Sequence, residues 1–380
     1  MFRSAVRTLL AMKTVPLTPK VPFQLHTADR TDLAPLPTKA TYDPEGLKKN
    51  LEFILTTRRM ELMCDQCYKL KKIRGFCHLY IGQEAIPTGM DNVLTRDDCV
   101  VTSYRDHSWY LSRGGTLDEI FSELFGRSTG GSKGKGGSMH MYMVKNNFYG
   151  GNGIVGAQVP LGAGLAWRFA KENRDAPKNV AVTLYGDGAA NQGQVYEAMN
   201  FAALQRIPVI FCVENNKYGM GTSTDRASFM SEFYRRGNYL PGLKVDGMDM
   251  FAVQEGTRWA KEYCLSGKGP IVMELDCYRY VGHSMSDPDS VYRPKSEVQS
   301  TRDERDCITN LKEFIINAGI MKNEEITEME KRIKKEVDVA MKKAEKAPVP
   351  AMSELFNDIY SDQKFLFRTC QGDVYKVAGS

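Results

Sequence analysis

Nowhere in this 380-residue sequence do apolar side chains run on long enough to cross a bilayer. A spanning helix needs roughly 18 to 20 consecutive apolar residues, whereas stretches such as 209–213 and 271–273 have the length of strands. Membrane insertion is therefore not expected. Acidic residues are missing from 1–28, which carry Arg3, Arg7, Lys13 and Lys20. That segment holds four of the five net positive charges left by 51 Lys and Arg against 46 Asp and Glu, so the rest of the chain is nearly neutral. A neutral body offers no electrostatic footprint for nucleic acid. In the first dozen residues Phe2, Val6 and Leu9 share one side of a helical projection and Arg3 and Arg7 another. An amphipathic, basic, acid-free start is the pattern of an organelle transit peptide. Residues 1–28 are read as a mitochondrial leader, and 29–380 as one domain of a matrix protein.

A disulfide framework is also absent. The nine cysteines have no paired spacing, and the lone Cys-x-x-Cys, Cys64 to Cys67, has no second pair to complete a zinc site. Free thiols in a reducing compartment follow. The glycine-rich stretch 126–137 lacks the Gly-x-x-x-x-Gly-Lys-Ser/Thr spacing of a phosphate loop. Gly151, Gly153 and Gly156 do satisfy Gly-x-Gly-x-x-Gly, with Glu172 about twenty residues on. A dinucleotide fingerprint needs a buried strand just before it, and 139–150, with His140, Lys145, Asn146 and Asn147, has no strand character. A nicotinamide dehydrogenase is thereby set aside.

At about 150 residues per domain the length suits one large α/β domain with additions. Pro35, Pro37 and Pro44 mark an extended N-terminal arm, after which Leu51, Ile54, Leu55, Met60 and Met63 form a helical stripe ending near Gly75. A further helix follows Gly82. Short β-rich runs at 99–102, 180–185, 209–213, 243–245 and 271–275 alternate with helical runs at 160–171, 191–205, 224–236 and 250–265. Such alternation predicts an α/β fold, a parallel sheet with helices on both faces. Residues 303–346 are dense in balanced charge and predict a C-terminal helical pair, the helical part beginning at about 300.

The chemistry concentrates where the strand at 180–185 runs into Gly186-Asp187-Gly188-Ala189-Ala190-Asn191. An acid meets a tight turn at the carboxyl end of a buried strand, the edge where open α/β sheets bind ligands. Glycines let a backbone approach a diphosphate, and the following helix offers free N–H groups. Asp187 would repel that diphosphate unless a magnesium ion took oxygens from both. A second oxygen donor is needed, and Asn215-Asn216 supplies it just past the next strand, with 26 residues separating Gly188 from Asn215. One helix and one strand fill that interval, so both groups emerge at the same sheet edge.

This Gly-Asp-Gly to Asn-Asn arrangement resembles the diphosphate-binding motif of thiamine-diphosphate enzymes. With Arg74-Gly75-Phe76-Cys77-His78, Gly82-Gln83-Glu84, Tyr104-Arg105-Asp106-His107, residues 134–140, 151–156 and 278–292, nearly the whole chain is similar to the alpha subunits of the thiamine-diphosphate-dependent 2-oxo acid dehydrogenases, of the mitochondrial pyruvate-decarboxylating kind. The resemblance implies oxidative decarboxylation of pyruvate and reductive transfer of the acetyl unit to a lipoyl group. It implies thiamine diphosphate and Mg2+ as cofactors. Asp187, Asn216 and the Tyr218 carbonyl would hold the metal; Gly188, Ala189, Tyr104 and Arg105 the diphosphate; Gly153 and Val155 the aminopyrimidine. His78, with Tyr104 and Arg105, would meet substrate, and His107 and His283 would be catalytic, His283 beside the thiazolium. Ser284 and Ser223 match phosphorylation positions, implying a dedicated kinase and phosphatase. No second α/β domain is expected for the pyrimidine half, so a beta subunit would complete each site in a tetramer of two alpha and two beta chains, with the lipoyl domain of an acetyltransferase as its visitor.

Two positions depart from the family pattern. Val281 stands where some members have a second loop histidine, and Val291, after Ser290, where members can carry a phosphorylatable serine. Branched-chain relatives share the fold and cofactor but resemble this chain less around Asp187 and Gly137. A catalytically silent subunit is the remaining alternative.

Overall fold

The computed structural model describes residues 12–358, together with the backbone of 366–368 and 374–376. The amphipathic turn expected at residues 1–11 lies outside them. Seven strands form the central sheet: β2 (Gln24–His26), β4 (Cys99–Ser103), β5 (Phe148–Asn152), β6 (Ala181–Gly186), β7 (Val209–Asn215), β10 (Gly242–Asp246) and β11 (Ile271–Asp276). Their order is β2-β10-β11-β7-β6-β4-β5. All neighbours run parallel except β2, which pairs antiparallel with β10. Outside this sheet, β1 (Lys13–Pro16) pairs with β3 (Lys39–Tyr42), and β8 (Tyr218–Gly219) with β9 (Thr222–Ser223).

Successive strand residues point to opposite faces, and the core divides accordingly. Val182, Leu184, Ile210 and Cys212 join one buried apolar cluster; Ala181, Tyr185, Val209, Phe211 and Val213 join another. Helices Gln158–Glu172 and Gly193–Gln205 supply the second cluster. The first is covered by Pro44–Lys69, Met250–Tyr263 and the C-terminal helices. Asp43 caps the first of these, accepting from the Gly46 N–H at 2.9 Å, and its stripe Leu47, Leu51, Ile54, Met60 and Cys64 is fully covered. Truncating one such leucine to alanine costs about 2–5 kcal/mol.

The five predicted strands are present, and four observations change the rest. The helix expected at 224–236 stops at Ala227. Arg236 folds back onto the Met230 carbonyl through Nε (3.0 Å) and Nη2 (2.8 Å), fixing an irregular turn in its place. The C-terminal pair expected over 303–346 is present as Cys307–Asn317 and Asn323–Lys346, and a further helix, Lys295–Arg305, precedes it. A strand does precede Gly153: β5 holds the sheet's edge with Phe148 buried, but its glycines leave no alternating side chains to read. Gly151 is obligatory there, since a Cβ would lie 2.3 Å from the Asp106 carboxylate. Finally, β2 and β1 fall inside the segment read as a leader. The Val21 N–H reaches Asp246 Oδ2 at 3.0 Å, and Phe23 and Leu25 pack on the core.

Among the described residues no helix is long and apolar enough to cross a membrane, and eight cysteines are free and buried.

Candidate active site

β6 and β7 are adjacent and parallel, with Gly186 opposite Glu214, so Asp187 and Asn216 leave the sheet at one edge. A cavity of about 200 Å³ opens there. It brings together Tyr104, Arg105, Val155, Asp187, Gly188, Ala189, Asn216, Tyr218 and His283, which the sequence had spread over 180 positions. Gly188 and Gly219 face each other closely: a Cβ on Gly219 would sit 3.2 Å from the Gly188 Cα and 3.8 Å from Asp187 Oδ2. Side chains there would fill the space that a diphosphate requires.

The donor set suits a hard cation. Burial pushes the Asp187 carboxyl up to about 6, as expected of an acid lacking its counter-charge. Asn216 turns its amide nitrogen to Gln83 Oε1 at 3.1 Å, and its Oδ1 is buried without a partner. A bare amide oxygen beside a buried carboxylate is oxygen-ligand chemistry of the Mg2+ type. A tight hairpin follows, with Tyr218 on β8 opposite Ser223 on β9.

Opposite the acids lies positive charge. Arg105 donates to the Leu79 carbonyl and, at 2.9 Å, to the His283 carbonyl. Arg279 is wholly buried, and its Nε and Nη2 have no partner. Burial, with Arg105 beside it, lowers its guanidinium to about 10. Its Nη1 donates to the Val281 carbonyl at 2.7 Å, and a guanidinium kept inside without a carboxylate suits an anionic ligand. Burial and these two arginines also push His283 down to about 3, so its imidazole is neutral at physiological pH. The Tyr104 hydroxyl and His283 Nε2 share a 3.4 Å hydrogen bond. The His78 ring lies tilted 4.3 Å from that of Tyr104 and edge-on 5.3 Å from that of His283, its own value lowered to about 2 chiefly by burial.

Other expected residues stand apart. His107 does not line the cavity; its Nδ1 meets Glu61 Oε2 at 3.0 Å and its Nε2 meets Ser138 Oγ at 2.8 Å, all within the core. Gly153 lies against His140 rather than on the cavity wall. Ser284, which matches a phosphorylation position, is buried, with its hydroxyl 3.1 Å from Ser286 Oγ; Ser286 and Ser290 are the exposed serines there. The loop is drawn inward by Asp287, which accepts from the His283 N–H at 2.7 Å and from the Tyr292 hydroxyl.

The sequence reading missed Glu214 and Gln158 on the cavity wall and Arg279 behind it. Burial holds Glu214 up at about 7, and Tyr80 donates to it. Gln158 donates to the Leu184 carbonyl at 3.0 Å and keeps Oε1 free. A glutamate inside the β7 run, Val209 to Asn215, was the available signal.

The model of the dehydrogenase E1 component family matches residues 53–353. Over 364 residues the chain is 48% identical to the mitochondrial pyruvate dehydrogenase E1 component subunit alpha-1 of Arabidopsis thaliana, covering 94% of this chain and 90% of that one. It is 54% identical over 303 residues to the corresponding mitochondrial alpha subunit of Dictyostelium discoideum (80% and 79%). With that of Saccharomyces cerevisiae it shares 49% over 344 residues (90% and 80%). By the extent of these matches, the chain belongs to the dehydrogenase E1 component family.

Proposed function

We propose that this chain is the alpha subunit of a mitochondrial pyruvate dehydrogenase (acetyl-transferring), decarboxylating pyruvate and passing the acetyl unit to the lipoyl group of a dihydrolipoyl acetyltransferase, the step that feeds acetyl-CoA formation. The family and its pyruvate dehydrogenase relatives support this directly. The single observation that carries it in the structure is the convergence of Asp187, the unpartnered Asn216 oxygen and the buried Arg105 on one glycine-lined cavity, with Arg279 buried behind it.

Thiamine diphosphate, when bound, supplies the electron sink that lets a 2-oxo acid lose carbon dioxide. The chain's own residues do the rest. Asp187, Asn216 and the Tyr218 carbonyl hold Mg2+. Gly188 and Ala189 bring backbone against the diphosphate, and Arg105 and Arg279 balance its charge. Val155, on the cavity wall, borders the aminopyrimidine, and Gly153, two residues earlier, shapes the turn that brings it there. Neutral His283, tied to Tyr104, is free to accept or return a proton at Nε2, and His78 closes the substrate side.

A beta subunit completes the site in a tetramer of two alpha and two beta chains. Apolar Ile154, 75% exposed, and Met220, 59% exposed, sit beside the cavity residues Val155 and Gly219, an uncovered rim that suits such a partner. The alpha chain should turn over pyruvate only with a matching beta subunit, thiamine diphosphate and magnesium together; full activity of the alpha chain alone would refute the shared site.

Regulation by a pyruvate dehydrogenase kinase and phosphatase at Ser284 and Ser223 is part of the reading. A phosphate on Ser284 adds about −1.5 to −2 charges beside His283 and Asp287, in a place now buried. Phosphorylation should therefore inactivate the tetramer and unfasten the loop. Full pyruvate turnover at stoichiometric Ser284 phosphate, by mass spectrometry on the same sample, would refute it.

A further inference from the structure

His78 reaches the site on a segment, 76–80, that belongs to no helix or strand. Its ring makes no anchoring bond of its own, since Nδ1 is buried without a hydrogen-bond partner. The ring's place is therefore set by the backbone beneath it, and that backbone is tethered on two sides. Toward the cavity, the Cys77 carbonyl accepts from Met285 N (2.9 Å), the Ile81 carbonyl from Tyr280 N (3.1 Å), and Leu79 from Arg105. Toward the core, His78 N donates to Ser138 Oγ (3.4 Å) and Tyr80 N to Glu61 Oε1 (3.1 Å).

The two core anchors are joined through His107. Its Nδ1 meets the other oxygen of Glu61 at 3.0 Å; its Nε2 meets Ser138 at both Oγ (2.8 Å) and the carbonyl (3.1 Å). A carbonyl only accepts, so Nε2 carries a proton toward Ser138 while Nδ1 donates to the carboxylate, as an imidazolium does. The raised value of His107 agrees: burial opposes its charge, and Glu61 outweighs burial. Cys64 comes within 4.8 Å of the same atoms, a spacing that metal sites use. Both ring nitrogens are already engaged, however, and burial holds the Cys64 thiol protonated, which leaves no open ligand set.

We propose that Glu61, His107 and Ser138 form a positioning relay that fixes residues 77–81 and thereby holds the His78 ring against Tyr104 and His283. His107 acts through this strap and does not touch substrate. Three buried polar groups satisfying one another make a rigid unit, and small displacements of a site group are costly to turnover. The inference rests on reading the cavity as the cofactor and substrate site.

The test uses the assembled alpha–beta enzyme. Ser138→Ala deletes one oxygen and the anchor of His78 N; kcat should fall roughly ten- to a hundredfold, while the dissociation constant for thiamine diphosphate stays within about twofold, because none of the three residues lines the cavity. Ser138→Thr, which keeps the hydroxyl, should recover most of kcat. Glu61→Gln should lose kcat as Ser138→Ala does, and the two together should be no worse than the poorer single. Wild-type kcat in Ser138→Ala, additive losses in the double variant, or cofactor affinity falling in step with kcat would each overturn the relay. Should Glu61→Gln not assemble, the two Ser138 variants decide alone. A wild-type enzyme that fails to bind thiamine diphosphate would instead sink the reading of the cavity.

Discussion

A single rotation of the Asn216 amide determines whether the cavity can take a metal. With its nitrogen given to Gln83, the oxygen is left bare beside Asp187. Asp187→Asn would keep the shape and remove the charge; thiamine diphosphate affinity, read by titration in the presence of magnesium, should drop by about tenfold or more with unchanged circular dichroism. Arg279 illustrates the opposite balance. Its guanidinium is buried with two unpartnered nitrogens, a cost the empty protein bears for a ligand's benefit. Arg279→Met should therefore raise the melting temperature of the cofactor-free enzyme and weaken cofactor binding together; a fall in both would show the arginine to be structural. Asp187 and Asn216 were legible in the sequence because their spacing counts out a helix and a strand. Glu214, Gln158 and Arg279 were not, because what singles them out is burial without a partner, a property of the packed chain and not of local pattern.

Among the elements, the five central strands were legible from their apolar runs, which the parallel sheet buries on both faces. Those that escaped owe their place to distant partners. β2 is three residues long and exists through pairing with Gly242, Leu243 and Lys244, and β5 is built around glycines. That β2 belongs to the body bears on the leader: cleavage after residue 28 would strip Phe23 and Leu25 from the core. A chain starting at Met12 should be more resistant to proteolysis than one starting at Asp29, and N-terminal sequencing of imported protein should find the cut ahead of Lys13. At the far end of β11, Asp276 receives Lys217 and, at 3.0 Å, Arg305. Burial works to raise its acid value, and these two cations, with Lys244 at 3.6 Å, hold it below the ordinary 3.8. A carboxylate with a depressed folded value stabilises above its unfolded value and loses that contribution as pH falls through the folded one. Asp276→Asn should cost roughly 3 kcal/mol near pH 7, and the gap to wild type should close below about pH 3.8 in denaturant unfolding.

For the molecule as a whole, the sheet edge fixes where chemistry happens, and the helices behind it make that edge unyielding. Arg58 locks the long N-terminal helix to Glu84 and to Asp306 (3.1 Å), tying the first and last thirds of the chain together. Breaking such a buried pair costs about 3–5 kcal/mol. The glycine-rich stretch 126–137 contributes in a way its composition conceals. Its amides do converge as in an anion-binding loop, but on the chain's own Glu123: Ser132 N and Gly134 N reach Oε2 at 2.8 and 2.9 Å, and Gly136 N and Gly137 N reach Oε1 at 2.7 and 3.1 Å. The loop thus carries a permanent internal counter-ion. A free phosphate or nucleotide would have to displace that carboxylate to reach these four amides, so the neighbouring Ser138 should keep its position whether those metabolites are scarce or abundant.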